Sequence, residues 1–152
     1  MPVPVKKLSF SRSQRLTHAL EFQAVFAHKL RKSRGSITVF AMPNGLGHDR
    51  LGLSIGKRVG GAVVRGRAKK LIRESFRLTR AQRFELLGAN EIGGGYDLVV
   101  TSRPHPGYAT RRLKVTELSG WLLEAAVACH REQLKRDSKH AAEQPNEGSA
   151  DV

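Results

Sequence analysis

Residues 57–77 read KRVGGAVVRGRAKKLIRESFR, eight basic side chains (Lys57, Arg58, Arg65, Arg67, Lys69, Lys70, Arg73, Arg77) against one acid, Glu74. The spacing predicts a helix from just after Gly60-Gly61 to about Leu78. On a wheel of about 100° per residue counted from Arg65, the side chains of Lys69, Arg73, Arg77 and Lys70 fall near roughly 40°, 80°, 120° and 140° and form one basic stripe. Leu71, Val64, Ser75, Ala68 and Ile72 fall between roughly 240° and 340° on the opposite side. A helix with one charged and one apolar face needs a surface to dock on, and the flanking segments supply a sheet. Gly66 lies in the middle of the basic stripe. Glycine there costs about 0.5–1 kcal/mol relative to alanine, and the expected compensation is an exposed backbone that a phosphate or base can approach closely.

Upstream, LGLSI (residues 51–55) alternates Leu51, Leu53 and Ile55 with small residues, and SITVFAM (36–42) is rich in β-branched and aromatic side chains. Both read as strands. The Pro43–Asp49 loop between them suggests an antiparallel hairpin. Before them, HALEFQAVFAH places Leu20, Phe22, Val25 and Phe26 at helical spacing, with Thr17 as the expected N-cap and Glu21 in the first turn. Downstream, GANEIGGGY (88–96) reads as a flexible loop and DLVVT (97–101) as a buried strand. SRPHPG is a turn, and a last helix is expected over about Thr110–Arg136, with Leu118, Leu122, Ala125 and Cys129 on one stripe and Trp121 beside it. The order helix, strand, strand, basic helix, strand, helix indicates a single-domain, two-layer α/β (α+β) sandwich, helices packed on a mixed sheet. Residues 1–14 are expected to form a flexible basic arm, 15–136 an RNA-binding domain, and 137–152 a disordered tail.

The net charge of +14 is concentrated. Residues 57–77 and residues 1–34 each hold a local excess of seven positive charges, and the rest of the chain is balanced. With a pI near 10.9, the partners this favours are polyanions. No apolar run reaches the length of about 18 residues that a membrane span needs, and MPVPVKKLSF is not a signal peptide, so no membrane role and a cytoplasmic location are expected. A single cysteine, Cys129, excludes an internal disulfide and reads as a small buried hydrophobe.

Catalytic chemistry has no motif to rest on. The six histidines (His18, His28, His48, His105, His130, His140) form no HExxH or Cys-His zinc spacing. His18 and His28 are an acid–base pair only in principle. Gly52–Arg58 has three residues, not four, between its glycines and Arg58 where a nucleotide-binding loop needs Ser or Thr. Binding chemistry remains. The basic helix can engage several phosphates. Phe22, Phe26 and Phe40 read either as core or as a groove on which bases stack.

Segment 56–73, GKRVGGAVVRGRAKKLIR, resembles the signature of the bacterial ribonuclease P protein family, approximately S-K-K-x-G-N-A-V-x-R-N-R-x-K-R-x-x-R. RLTHALEFQAVF resembles the family's first helix, GSITVFAM and LGLSI its first strands, and YDLVVTSRP its later strand, so the resemblance covers about residues 12–132. Gly56 stands where the family often has Ser, Lys70 where Arg is common, and Gly66 where the central Asn of Arg-Asn-Arg is found.

The resemblance implies the protein cofactor of a ribonucleoprotein endonuclease that removes 5′ leaders from precursor tRNA, with magnesium held mainly by the catalytic RNA subunit and no catalytic residue or metal site in this chain. It implies that Lys57, Arg58, Arg65, Arg67, Lys69, Lys70 and Arg73 contact the catalytic RNA, and that Phe22, Phe26 and Phe40 line a cleft for the leader. It also implies a left-handed βαβ crossover, a fold shared with one domain of a ribosomal protein. A structural ribosomal protein, a protein-only nuclease and a DNA-binding helix-turn-helix module are the competing readings; the last lacks a partner helix, because a strand is expected before Gly60.

Overall fold

The computed structural model describes residues 11–143. The basic helix spans Ala62–Leu78 (α2), as expected. Its buried side chains are Ala68, Ile72, Ser75 and Phe76, with Val64 and Leu71 partly buried beside the core. The docked face is therefore the apolar stripe of the wheel widened by Phe76, which falls near roughly 20°, between Arg65 and Lys69.

Four strands form one sheet: β1 (Arg31–Arg34), β2 (Ile37–Pro43), β3 (Arg50–Ser54) and β4 (Tyr96–Ser102), in the order β1-β2-β4-β3. The expected hairpin between the second and third strands does not form. β4 is inserted between them, antiparallel to β2 and parallel to β3. Tyr96–Val100 are buried on both faces, and a strand apolar on both sides must take a central place. The loop after β2 wraps the start of β4: Asn44 N–H donates to the Gly95 carbonyl (3.1 Å) and Gly47 N–H to that of Gly94 (2.9 Å). These bonds tie down the glycine-rich loop that the sequence suggests is flexible.

The first helix is α1 (Ala19–Ala27). Its N-cap is His18, one residue beyond the expected Thr17, and the Glu21 carboxylate accepts the His18 N–H at 3.2 Å. Leu20 is 76% exposed, so it is not part of the buried stripe. Two elements have no sequence signal: β1, an all-polar edge strand, and α3 (Arg80–Leu87). The last helix is α5 (Val115–Glu143), which starts later than the expected Thr110; a short α4 (Pro106–Thr110) forms before it, beginning within the expected turn, and Arg111 closes it in a left-handed conformation. Leu118, Leu122, Ala125 and Cys129 are buried as the stripe requires, but the helix continues through residues 137–143, assigned above to a disordered tail. Residues 1–10 of the expected arm and 144–152 of the tail lie outside the described residues.

Alternation in the strands separates two clusters. Ile37, Val39 and Ala41 of β2, with Leu98 and Val100 of β4, face α2 and α5 in the main core. Phe40, Met42 and Val99 face the other way, with Leu16 and Val25 against them. α1 packs on β2 and β4 there. Cys129 is buried and its thiol is pushed up to about 11 by burial, an inert core position.

Candidate nucleic-acid interface

The cations of α2 and the aromatics of α1 meet. Arg15, Thr17, Phe22, Lys69 and Arg73 line one hollow of about 230 Å³ over Leu16, Leu51 and Leu53. Phe22 reaches this position because of Gly52. A Cβ on Gly52 would lie 2.7 Å from Phe22 Cζ, so the ring occupies the space a side chain on β3 would fill. Phe26 is 36% exposed and meets Phe40 edge-on, with ring centroids 4.8 Å apart. Phe22 and Phe40 are half-buried against the small cluster. All three aromatics thus border one face of the sheet, packed on a core and partly open, a combination of both sequence readings.

An ion-pair network holds α1 over this face. Arg50 donates through Nε and Nη2 to both Asp97 oxygens (2.8 and 2.7 Å) and through Nη1 to Glu21 Oε2 (2.8 Å). Asn44 Nδ2 also donates to Asp97 Oδ1 (2.9 Å). Burial alone would raise the Glu21 carboxyl, but the backbone N–H groups of His18 and Thr17, together with Arg50, leave it below its ordinary value. Arg50 is shifted upward, chiefly by its bond to Asp97.

Along α2 the basic residues do not form a single surface. Lys69 and Arg73 face the hollow beside Phe22, whereas Arg67 and Lys70 border a different one next to α4. Arg67 Nη1 donates to the Ala109 carbonyl at 2.7 Å. Arg77, at the end of the stripe, is paired with Glu74. Arg65 Nε is enclosed with no acceptor among the described residues. Lys57 and Arg58 are exposed on a 3-10 turn, Lys57–Val59, just before α2.

Gly66 is exposed, and a Cβ there would meet nothing within 4 Å. We expect Gly66→Ala to stabilise the fold by about 0.4–1 kcal/mol, because it restricts the unfolded chain at a helical position without a clash. Urea denaturation followed by helix ellipticity measures it; a loss of stability would mean that the glycine serves packing.

Four of the six histidines have a ring nitrogen held by a hydrogen bond. His28 Nε2 bonds Gln133 Oε1 (2.7 Å), His48 Nε2 bonds the Ser13 carbonyl (3.1 Å), and His130 Nδ1 bonds the Tyr96 hydroxyl (2.7 Å). His105 Nδ1 accepts the Gly107 N–H at 2.9 Å and caps α4. His18 and His28 stand at opposite ends of α1, so they do not form an acid–base pair. No helix among the described residues is long and apolar enough to cross a membrane. The sequence reading missed Arg15, Gly52 and Arg111 as contributors; none has a local pattern that marks it.

Comparison with known proteins identifies relatives of this chain. The chain is 49% identical over 82 residues to the ribonuclease P protein component of Methylococcus capsulatus, covering 53% of this chain and 64% of that protein. It is 42% identical over 92 residues to the Haemophilus influenzae protein of the same name, covering 57% and 77%. The aligned segment thus spans less than two thirds of the first of these relatives and about three quarters of the second. Among solved structures, the ribonuclease P protein of Thermotoga maritima superposes with a TM-score of 0.52 at 26% identity, over 72% of this chain and 92% of that one. The Staphylococcus aureus protein shares the fold with a TM-score of 0.55 at 19% identity, over 80% and 93%. The family model for ribonuclease P matches residues 10–126, and the chain belongs to that family.

Proposed function

We propose that this chain is the protein subunit of ribonuclease P, acting in the cytoplasm. It binds the catalytic RNA and the 5′ leader of precursor tRNA, and so raises substrate affinity while the RNA subunit cleaves the phosphodiester bond that generates the mature 5′ end. The observation that carries this reading is the hollow in which Phe22 adjoins Lys69 and Arg73. A single RNA path can there exchange phosphate contacts on α2 for base stacking beside α1. Lys57, Arg58, Arg65, Arg67, Lys69, Lys70 and Arg73 serve the catalytic RNA, and Phe22, Phe26 and Phe40 the leader.

Magnesium, held by the RNA subunit, would supply the hydrolytic chemistry. Among the described residues no three His, Cys, Asp or Glu side chains converge on a point. Every role given to this chain is one of binding and charge screening between two polyanions.

Reconstitution with a ribonuclease P RNA tests the reading: the chain should restore leader cleavage at low magnesium, and failure to stimulate would refute it. The aromatic cleft has its own test. Phe22→Ala and Phe26→Ala should weaken binding of leader-bearing tRNA by about five- to a hundredfold, since stacking contributes about 1–3 kcal/mol per base. Mature tRNA should be affected much less. Equal losses for both substrates, in variants with unchanged circular dichroism, would remove leader stacking.

A further inference from the structure

Building on the reading that the partner is a structured RNA, we propose that the hollow between α2 and α4 is a binding site for one unstacked nucleotide of that RNA, its base on an apolar floor and its phosphate on three cations. The hollow has a volume of about 370 Å³. That falls in the size range of small-molecule sites, about 300–1,000 Å³. Its floor is Leu71, Tyr108 and Leu113; Tyr108 and Leu113 are buried. The Tyr108 hydroxyl is occupied behind the floor by Ser36 Oγ (3.2 Å) and Ser102 Oγ (2.8 Å), which fixes the ring.

Arg67, Lys70 and Arg111 line the same hollow. Two of them are placed by the backbone around them. Arg67 is held by its bond to the Ala109 carbonyl, which leaves other guanidinium N–H groups available to an acceptor. Arg111 closes α4 at φ 61, a left-handed conformation uncommon for a residue other than glycine. Glu74 is the opposing charge. It is bonded to Arg77, which holds its carboxyl below the ordinary value, and Lys70 adds to that effect. The acid is thus neutralised largely from outside the hollow, and the local excess remains positive.

An apolar floor alone would suit any small hydrophobe, and three cations alone would suit any phosphate. Together they select a ligand with a flat apolar part joined to an anion, and an RNA nucleotide turned out of its stack has that composition. Helical geometry separates this site from the aromatic cleft. Residues 67, 70, 71 and 74 centre on a direction roughly 130° around the axis from residues 69 and 73. α2 therefore presents cations to two hollows, and one RNA can be held at both.

The test uses the full chain and four nucleoside 5′-monophosphates, with ribose 5-phosphate and inorganic phosphate as the other arms, followed by amide chemical shifts. The monophosphates should shift Gly107, Tyr108, Arg111 and Leu113 and bind at least about fivefold more tightly than either sugar phosphate or phosphate, as expected for a buried base. Lys70→Ala, at an exposed helix position that does not disturb the α4 turn, and Arg111→Gly, which suits the positive φ, should each weaken this binding several-fold. Lys135→Ala removes an equal charge from α5 and should leave it unchanged. Equal affinity for inorganic phosphate and nucleotides, or shifts confined to Lys69 and Arg73, would overturn the nucleotide site. Binding of the chain to ribonuclease P RNA is measured separately. Normal RNA binding without nucleotide shifts removes this site and keeps the functional reading; nucleotide shifts without RNA binding remove the functional reading and with it the RNA origin of the ligand.

Discussion

Replacing Arg65, Arg67 and Lys69 together by glutamate should lower affinity for the catalytic RNA about a hundredfold at about 0.1 M salt, and the log–log salt slope should shrink by about 2. The magnitude follows from counterion release. Each phosphate neutralised contributes roughly 0.7 to 0.9 to the slope, so three lost contacts remove about two powers of ten at that ionic strength. Glutamate adds repulsion, which makes this a lower bound. The structure also shows a complication. Arg67 bonds the Ala109 carbonyl, so its reversal loosens α4 as well as removing a charge. Arg65→Ala with Lys69→Ala, which leaves that bond intact, should still reduce the slope by about 1.4. Anisotropy titrations across a salt series, with thermal melts of each variant, separate the two effects. An unchanged slope in folded protein would remove α2 from the interface.

The faces of α2 were largely legible because periodicity fixes which side chains share a side of a helix: the buried Ala68, Ile72 and Ser75 lie on the predicted stripe, whereas the buried Phe76 lies outside it. Periodicity does not say where a helix sits in the fold. The basic wheel therefore reads as one stripe, whereas α4 and β3 divide it between two hollows. Strand identity was similarly local and strand pairing was not. SITVFAM and LGLSI are strands, but their partner is β4, some fifty residues further along the chain. The signal that decides this was present in YDLVV: a strand buried on both faces belongs at the centre of a sheet.

Other elements are held by tertiary contacts that leave no local trace. β1 reads RKSR, with no apolar alternation, and its order comes from pairing with β2 and from Lys32 and Arg34 facing Glu132 and Glu124 on α5. Gly52 looks like a weak point in a strand until Phe22 is seen in the space above it. The aromatic cleft was thus half legible. The sequence placed Phe22 and Phe26 on one helix, and only the fold shows the glycine that admits the ring.

α3 depends on the second large effect. Asp49→Ala should destabilise the fold by about 3–5 kcal/mol, the usual result of leaving one member of a buried ion pair without its partner. Asp49 and Arg83 are both about 2% exposed, with Arg83 Nε donating to Asp49 Oδ2 at 2.8 Å. Burial pushes the Arg83 guanidinium below its ordinary range while the Asp49 charge opposes that shift, so removing the carboxylate leaves only the unfavourable effect. The remaining contacts of Arg83 do not replace it. Nη1 donates to the Phe76 carbonyl (2.6 Å) and Thr79 Oγ1 (2.5 Å), and the guanidinium lies 3.9 Å from the Phe76 ring centroid. Asp49 has a second duty, since Oδ1 accepts the Tyr96 N–H at 2.8 Å where β4 begins. The variant therefore loosens α3 and the entry to the central strand together. In a chain of this size each kcal/mol lowers the melting temperature by about 2–4 °C, so a fall of about 6–20 °C is expected. Replacing both partners by apolar residues, Asp49→Leu with Arg83→Met, should recover part of the loss, because the uncompensated charge is gone. Neither residue lines the α2 hollows, so RNA affinity measured well below the melting temperature should stay within about twofold of the parent. A loss of less than about 1 kcal/mol for Asp49→Ala would mean that water reaches Arg83 and that the pair does not anchor α3.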